Sequence, residues 1–334
     1  MATLKDVAKL ANVDPSTVSR ALNNISHVHP DTKARIMVAV EQLSYRPSLL
    51  TKGLREGKHN AIAVVIPTMR FSMFSEVVEG VELQAQELGF STTISHTKND
   101  PAIESDCLNR LYNSFVDGII IAGTGANQRQ ISSIRDTVPV LQVVRKYDEK
   151  ISSVTADFFS CGYSGFEYLY KKGCRNIALI NGSTELIPYR ERYRGYSKAV
   201  KKYGLQENVV ESPFCFIDDS QLFEFGMTST MKLYKNNARI DGILAAMDIH
   251  GIGAIRTIKE LGFSIPDQVK LVSLTGHSIG GMLEPSMTSM ELPAIDMGKK
   301  AARLIIDEIM APAGLKRNCL HCVFDTSLVK RDSA

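Results

Sequence analysis

The chain has 334 residues, with 39 Lys and Arg against 36 Asp and Glu and a formal net charge of +3. That length allows more than one domain with a sizeable core. The start is polar and no apolar run reaches the roughly 18 residues a membrane span needs, so secreted and membrane-spanning readings are set aside. Six scattered cysteines suit a reducing cytoplasm, the expected location. Charge is uneven: residues 1–60 hold nine Lys or Arg and five Asp or Glu, a balance of +4, so residues 61–334 sum to −1. An excess of cations near the start is where counterion release on a phosphate backbone would act, although +4 also describes a mildly basic solvated face.

The first predicted elements are two short helices in Thr3 to Asn23. Thr3 stands as a cap with Asp6 three residues on, and Leu4, Val7, Ala8 and Ala11 recur at helical spacing. Asn12-Val13-Asp14 breaks that pattern, with Val13 as the apolar plug of the turn. Asp14 is a good N-cap and Pro15 suits the first helical position, where its missing N–H costs nothing. Val18, Ala21 and Leu22 point back to the first helix. Pro15, Ser16, Thr17, Ser19, Arg20 and Asn23 are left outward, a small polar set able to reach phosphates and base edges. An ordinary helical hairpin with a polar face shares this pattern. A third helix is predicted over about Pro30 to Ser44, with Ile36, Val40 and Leu43 as its core stripe, and Tyr45-Arg46-Pro47 as its stop. The basic stretch from Ser48 to Lys58 is helix-competent but marginal alone because of Gly53 and Gly57, which suits a linker that folds on docking.

From residue 61 onward strands and helices alternate. Strands are predicted at 61–67, 90–95, 116–121 and 138–144, and a second set begins at Ser153-Val154-Thr155 and continues at 176–180, 241–246 and 269–274. Helices end on Glu-Leu-Gly-Phe at 87–90 and 260–263 and on Lys-Lys-Gly at 171–173. Two such sets imply two doubly wound parallel-sheet lobes, with ligands beyond the carboxyl ends of strands.

Residues 3–58 resemble the headpiece and hinge of the lactose/galactose-repressor (LacI/GalR) family of bacterial transcriptional regulators. The likeness rests on Thr-x-x-Asp-Val-Ala, Thr17-Val18-Ser19-Arg20 with Asn23 after it, and Tyr45-Arg46-Pro47, and runs almost to the end, closing on Leu328 to Ser333. It implies an all-α helix-turn-helix headpiece (1–46), a hinge helix (47–60) and a two-lobed, periplasmic-binding-protein-like α/β effector domain (61–334). Lobe one would hold about 61–157 and 293–320, and lobe two about 158–292 and 321–334, with the connection between them crossed three times. By resemblance Pro15, Ser16 and Arg20 read bases, while Thr3, Thr17, Ser19 and Asn23 hold phosphates or support the reading helix. Leu54 would wedge into the minor groove at the operator centre with Arg55 beside it, unstacking one base step at a few kcal/mol repaid by added contact. The implied partners are double-stranded operator DNA, a second copy of the chain and a small effector, with no cofactor and no membrane.

The same resemblance makes Arg192, three residues before Gly195, the arginine that grips sugar hydroxyls or a carboxylate, a task suited to a planar five-donor fork. Phe71, Ser72, Met73 and Phe74 follow the first strand, where the family often has Asn-Pro-Phe-Phe; the aromatic side chains there can stack on a sugar or base face, or close the lobe core. Three polar anchors depart from the family pattern. Met247-Asp248 replaces Asn-Asp, Thr275-Gly276 replaces Asp-Asp, and Val144 replaces an Asp ahead of Arg145. A carbohydrate or sugar phosphate held by Arg192, Asp248 and Thr275 is the expected effector, with a purine or nucleoside as the alternative.

Enzyme readings lack their motifs. Gly123-Thr124-Gly125 has Gln at 128, no phosphate-binding Walker sequence occurs, and Gly162-Tyr163-Ser164-Gly165 lacks nucleophile-elbow spacing. A sugar-modifying or oxidoreductase domain fused to a DNA-binding one is the remaining enzyme alternative. Cys319-Leu320-His321-Cys322 has CxxC spacing but no second ligand pair nearby, and is read as the start of a strand.

Overall fold

The computed structural model describes residues 2–23, 28–45, 59–114, 116–213, 218–236, 239–276, 278–312 and 318–334. It divides into two compact units, Met1–His59 and Asn60–Ala334.

Among its described residues the amino-terminal unit has three helices, α1 (Leu4–Ala11), α2 (Pro15–Asn23) and α3 (Pro30–Gln42). The capping box at the start of α1 forms as expected: Asp6 N donates to Thr3 Oγ1 at 3.3 Å, and Thr3 N donates to the Asp6 carboxylate at 2.8 Å. Asn12 turns the chain in the left-handed region (φ 51°), tolerable for Asn, and Val13 packs partly into the core. That core is Val7, Ala8, Ala11, Val18, Ala21, Ile36 and Ala39. On α3 the fully buried pair is Ile36 and Ala39, while the expected Val40 and Leu43 are only half-buried against it. The hinge segment, with Leu54 and Arg55, lies outside the described residues.

The second unit alternates strand and helix almost throughout. Its first part runs β1 (Ala61–Ile66), α4 (Ser72–Glu87), β2 (Ser91–His96), α5 (Pro101–Tyr112), β3 (Gly118–Ile121), α6 (Gln128–Arg135), β4 (Val140–Val143) and β5 (Ser153–Ala156). Next come α7 (Phe158–Lys171), β6 (Ile177–Asn181), α8 (Ile187–Tyr203), β7 (Asn208–Glu211), α9 (Asp219–Asn236), β8 (Gly242–Ala245), α10 (Asp248–Glu260) and β9 (Lys270–Ser273). The chain closes with a 3₁₀ turn (Ser278–Met282), β10 (Thr288–Glu291), α11 (Ala294–Ile309), β11 (His321–Phe324) and β12 (Ser327–Val329). Two six-stranded sheets result, ordered β11-β5-β4-β3-β1-β2 and β12-β10-β9-β8-β6-β7. All pairs are parallel except β10 with β12. Strands such as β1, β3, β6 and β8 read as continuous apolar runs because helices cover both faces.

Two boundaries differ from those the sequence suggests. Strand β5, expected to open the second set, completes the first sheet by pairing with β4 (Gln142↔Ser153, Val143↔Val154). Strand β11, assigned to the second lobe, pairs with β5 from His321↔Ser153 to Phe324↔Ala156. The third crossing between sheets therefore follows Phe324 instead of preceding His321. Strand rhythm counts strands without naming their partners, and partners decide lobe membership. Within Cys319–Cys322, His321 opens β11 and its Nδ1 pairs with Ser153 Oγ at 2.9 Å, tying this segment into the sheet. Helix stops at Gly89 and Gly262 form as expected, with φ +77° and +83° and with Phe90 N and Phe263 N donating back to Ala85 O and Ile258 O.

Three helix pairs flank the sheets, α4 with α11, α7 with α8, and α9 with α10, and each crosses on reciprocal glycines. A Cβ on Gly80 would lie 2.0 Å from the Ile295 carbonyl oxygen, and one on Gly298 2.1 Å from that of Val77. Gly162 and Gly195 bear the same relation to the carbonyls of Arg192 and Phe159, and Gly226 and Gly253 to those of His250 and Phe223. No larger residue fits such an approach, so these helices are held backbone to backbone.

Candidate DNA interface and ligand cavity

Helix α2 presents the residues expected to face DNA. Ser16 and Arg20 are exposed one turn apart, and Pro15, Thr17 and Ser19 are half-buried beside them. Asp14 accepts from Ser16 N at 2.8 Å, and these bonds from Ser16 hold its carboxyl below the usual range. Thr3, by contrast, has its hydroxyl engaged with Asp6 in the cap. Asn23 ends the helix, and its side chain lies outside the described residues.

In the second unit a cavity of about 270 Å³ lies at the carboxyl ends of both sheets. Its lining includes all seven residues expected from sequence: Phe71, Met73, Phe74, Arg145, Arg192, Asp248 and Thr275. The first-lobe wall comes from the β1–α4 junction. Phe71 is the extended residue before α4, and its ring stacks with that of Phe74 at 6.3 Å between centroids. Arg145 is buried beneath them, its guanidinium 5.5 Å from the Phe74 ring. It donates to Asn99 Oδ1 at 2.8 Å and to Gly123 O at 3.2 Å, so it braces that wall. Val144, preceding it, is fully buried with φ 65°, a strained conformation for a β-branched residue.

The second-lobe wall is polar. Arg192, on the inner face of α8, is 1% exposed, and its guanidinium lies 4.9 Å from the Phe158 ring and 5.9 Å from the Tyr189 ring. Its Nε and Nη2 have no hydrogen-bond partner among the described residues. Among the described residues no carboxylate forms an ion pair with it. Asp248 opens α10 and is held in place: its backbone N donates to Thr275 Oγ1 at 3.1 Å, and the Ser273 and Thr275 hydroxyls both donate to Oδ1. Thr275 thus works by positioning Asp248. Met247, standing where a polar residue is usual in the resemblance, accepts from the Tyr189 hydroxyl.

His250 was not a candidate from sequence. It lies two residues into α10 beyond Asp248, lines the cavity, is fully buried, and among the described residues has no hydrogen-bond partner on either ring nitrogen. Burial and then the nearby Arg192 charge push its pKa down to about 3, so the ring is neutral at neutral pH. Its place just past a strand's carboxyl end was the available signal. Arg70, also absent from the candidates, lines the mouth and reaches across the lobes to Asp218 at 2.8 Å.

Fold and cavity together define a two-lobed, periplasmic-binding-protein-like domain joined to a helix-turn-helix unit. A family described as "Periplasmic binding proteins and sugar binding domain of LacI family" matches residues 59–321, and "Bacterial regulatory proteins, lacI family" matches residues 3–48. The chain belongs to the LacI family of bacterial transcriptional regulators. Similar proteins include the ribose operon repressor of Halalkalibacterium halodurans, 30% identical over 92% of this chain and 91% of that one. Among solved structures, a lac repressor dimer bound to operator and an anti-inducer superposes with a TM-score of 0.87 at 22% identity, covering 99% and 98% of the two chains. A complex of the transcriptional regulator CelR with cellobiose superposes at 0.73 with 25% identity, covering 100% of both. Among the described residues no helix is long and apolar enough to cross a membrane.

Proposed function

We propose that this regulator is a homodimeric repressor of a roughly palindromic operator, released or engaged by a single carbohydrate or sugar phosphate bound between its lobes. The observation that carries the effector reading is Arg192, buried at the cavity wall with two donor nitrogens unused. Such a group is costly unless a guest supplies acceptors. A volume of about 270 Å³ falls at the lower edge of ligand pockets, about 300 Å³, and suits one ring better than several. Relatives named for ribose and a structure with cellobiose support a sugar. The Phe71–Phe74 pair supports a purine as second reading, since either ring face can stack.

Each headpiece reads a half-site through Pro15, Ser16 and Arg20, and linking two modules gains effective concentration that one module lacks. The hinge leucines, Leu54 from each copy, open the minor groove between half-sites, with Arg55 beside them on the phosphates. The effector changes the angle between lobes and hence the order of the hinges. The test is selection of bound duplexes from random DNA, with and without sugars, sugar phosphates and purines. A palindromic consensus whose affinity shifts with one of these ligands supports the reading. Absence of any duplex preference, or a purine as the sole active ligand, would overturn it in whole or in its sugar part.

A further inference from the structure

Two buried nitrogen-bearing side chains meet the cavity without partners. Arg192 comes from α8 and His250 from α10, and each is 1% exposed or less. The backbone of each is pinned by a glycine of the neighbouring helix, Gly162 and Gly226, so neither can withdraw by a shift of its helix. They are close enough for the guanidinium charge to act on the ring. A neutral ring in that place presents one N–H and one lone pair, both unused among the described residues. Buried polar groups in native proteins are nearly always satisfied, so a pair of unsatisfied ones on a cavity wall marks what the cavity is built to hold.

The charges around His250 set the sign of that guest. Arg192 faces it from α8, Asp248 precedes it on its own helix, and Asp219 lines the same cavity from α9; among the described residues the neighbouring β9 end offers the hydroxyls of Ser273 and Thr275. Asp248 is bound by both of those hydroxyls, whereas Arg192 has no carboxylate partner among the described residues. A guest that brings negative charge answers that missing partner of Arg192, while the carboxylates of Asp248 and Asp219 on the same wall can accept from its hydroxyls. An anion beside the ring offsets the Arg192 charge and attracts a second N–H directly, acting against the burial that is the larger cause of the lowered pKa.

We propose that the cavity takes a sugar bearing an acid group, that this group lies between Arg192 and His250, and that His250 takes up a proton from solvent as the ligand enters. The proposal rests on the reading of this cavity as the effector site and narrows its ligand to an anion. Phosphate and carboxylate share the required chemistry.

Calorimetry on the full-length protein, in buffers of differing ionisation enthalpy, tests it with three probes. Sulfate stays ionised throughout, so any proton taken up belongs to the protein; ribose 5-phosphate and gluconate separate phosphate from carboxylate; neutral ribose is the control. The expected result is saturable binding of sulfate and of at least one acidic sugar, at least about tenfold tighter than ribose. Sulfate binding should take up protons and should tighten as pH falls from about 8 to about 6. His250→Gln should abolish the uptake and flatten that dependence, and Arg192→Lys should weaken all anions. If the variant misfolds, the histidine carbon resonances of the wild type give the same answer, because one ring should pass from neutral to protonated on adding sulfate. Ribose binding as tightly as its phosphate, with no proton taken up, overturns the proposal while leaving the effector cavity standing. Sulfate binding that His250→Gln leaves unchanged marks an adventitious ion only and also overturns it. Failure of all probes, with no histidine resonance moving, removes both.

Discussion

Seen from the cavity, the two lobes share a strand order yet carry different walls. In the first, Arg145 is spent on Asn99 and Gly123, and the surface offered to a guest is the Phe71–Phe74 pair. In the second, Arg192 and His250 are pinned, buried and chemically unspent. The lesson is a division of labour. One lobe offers area and little direction, while the other offers direction at a desolvation cost that only a ligand offsets.

Four measurements separate the two lobes. The largest effect is expected from Gly162→Val, whose Cβ meets the Arg192 carbonyl at 2.1 Å. A loss on the order of 3–5 kcal/mol of unfolding free energy should follow, as for Gly80→Val in the first lobe. Only the second-lobe variant should also lose ligand binding at temperatures where it stays folded, as denaturant melts paired with calorimetry would show.

Next is acid stability. His250 has a pKa of about 3 when folded against an ordinary 6.5, so the unfolded chain binds the extra proton. The stabilisation is complete above about pH 6.5 and drains as pH falls toward the folded value, reaching roughly 3 kcal/mol lost by about pH 4. His250→Gln should lack this component, and urea midpoints at neutral and acid pH would reveal a shallower decline.

Third, Arg192→Gln should weaken effector binding by about a hundredfold, because it strips charge-assisted bonds. Phe71→Leu should cost only severalfold, the loss of ring contact alone. Equal effects on the measured Kd would erase the contrast between lobes. The smallest effect belongs to the clasp at the mouth. Arg70 and Asp218 are paired at 2.8 Å but their side chains are 60% and 43% exposed, so Arg70→Gln should change effector affinity by less than about threefold.

The headpiece was the most legible part of the chain because its signals are local. Thr3 with Asp6, the turn at Asn12–Val13 and the inward stripe of Val18 and Ala21 are set by residues a few positions apart, and all form. The strands were legible as strands, since their apolar runs stand between helix stops. The membership of β11 was not: it joins the first sheet through a partner more than 160 residues away in sequence (His321 with Ser153), which no local pattern carries. For the cavity, the resemblance placed seven lining residues, but Thr275 turns out to serve Asp248, and His250 was passed over. Its distinction is a missing partner on both nitrogens, a property of three-dimensional surroundings.

The reciprocal glycines have a mechanical consequence. With Gly162 lying on the Arg192 carbonyl and Gly195 on that of Phe159, α7 and α8 form a stiff couple instead of two rods that slide. Helix α7 starts at Phe158, directly after Asp157, where the chain first passes from one sheet to the other. The backbone that carries Arg192 is thus keyed, through α7, to the place where the chain leaves the first sheet.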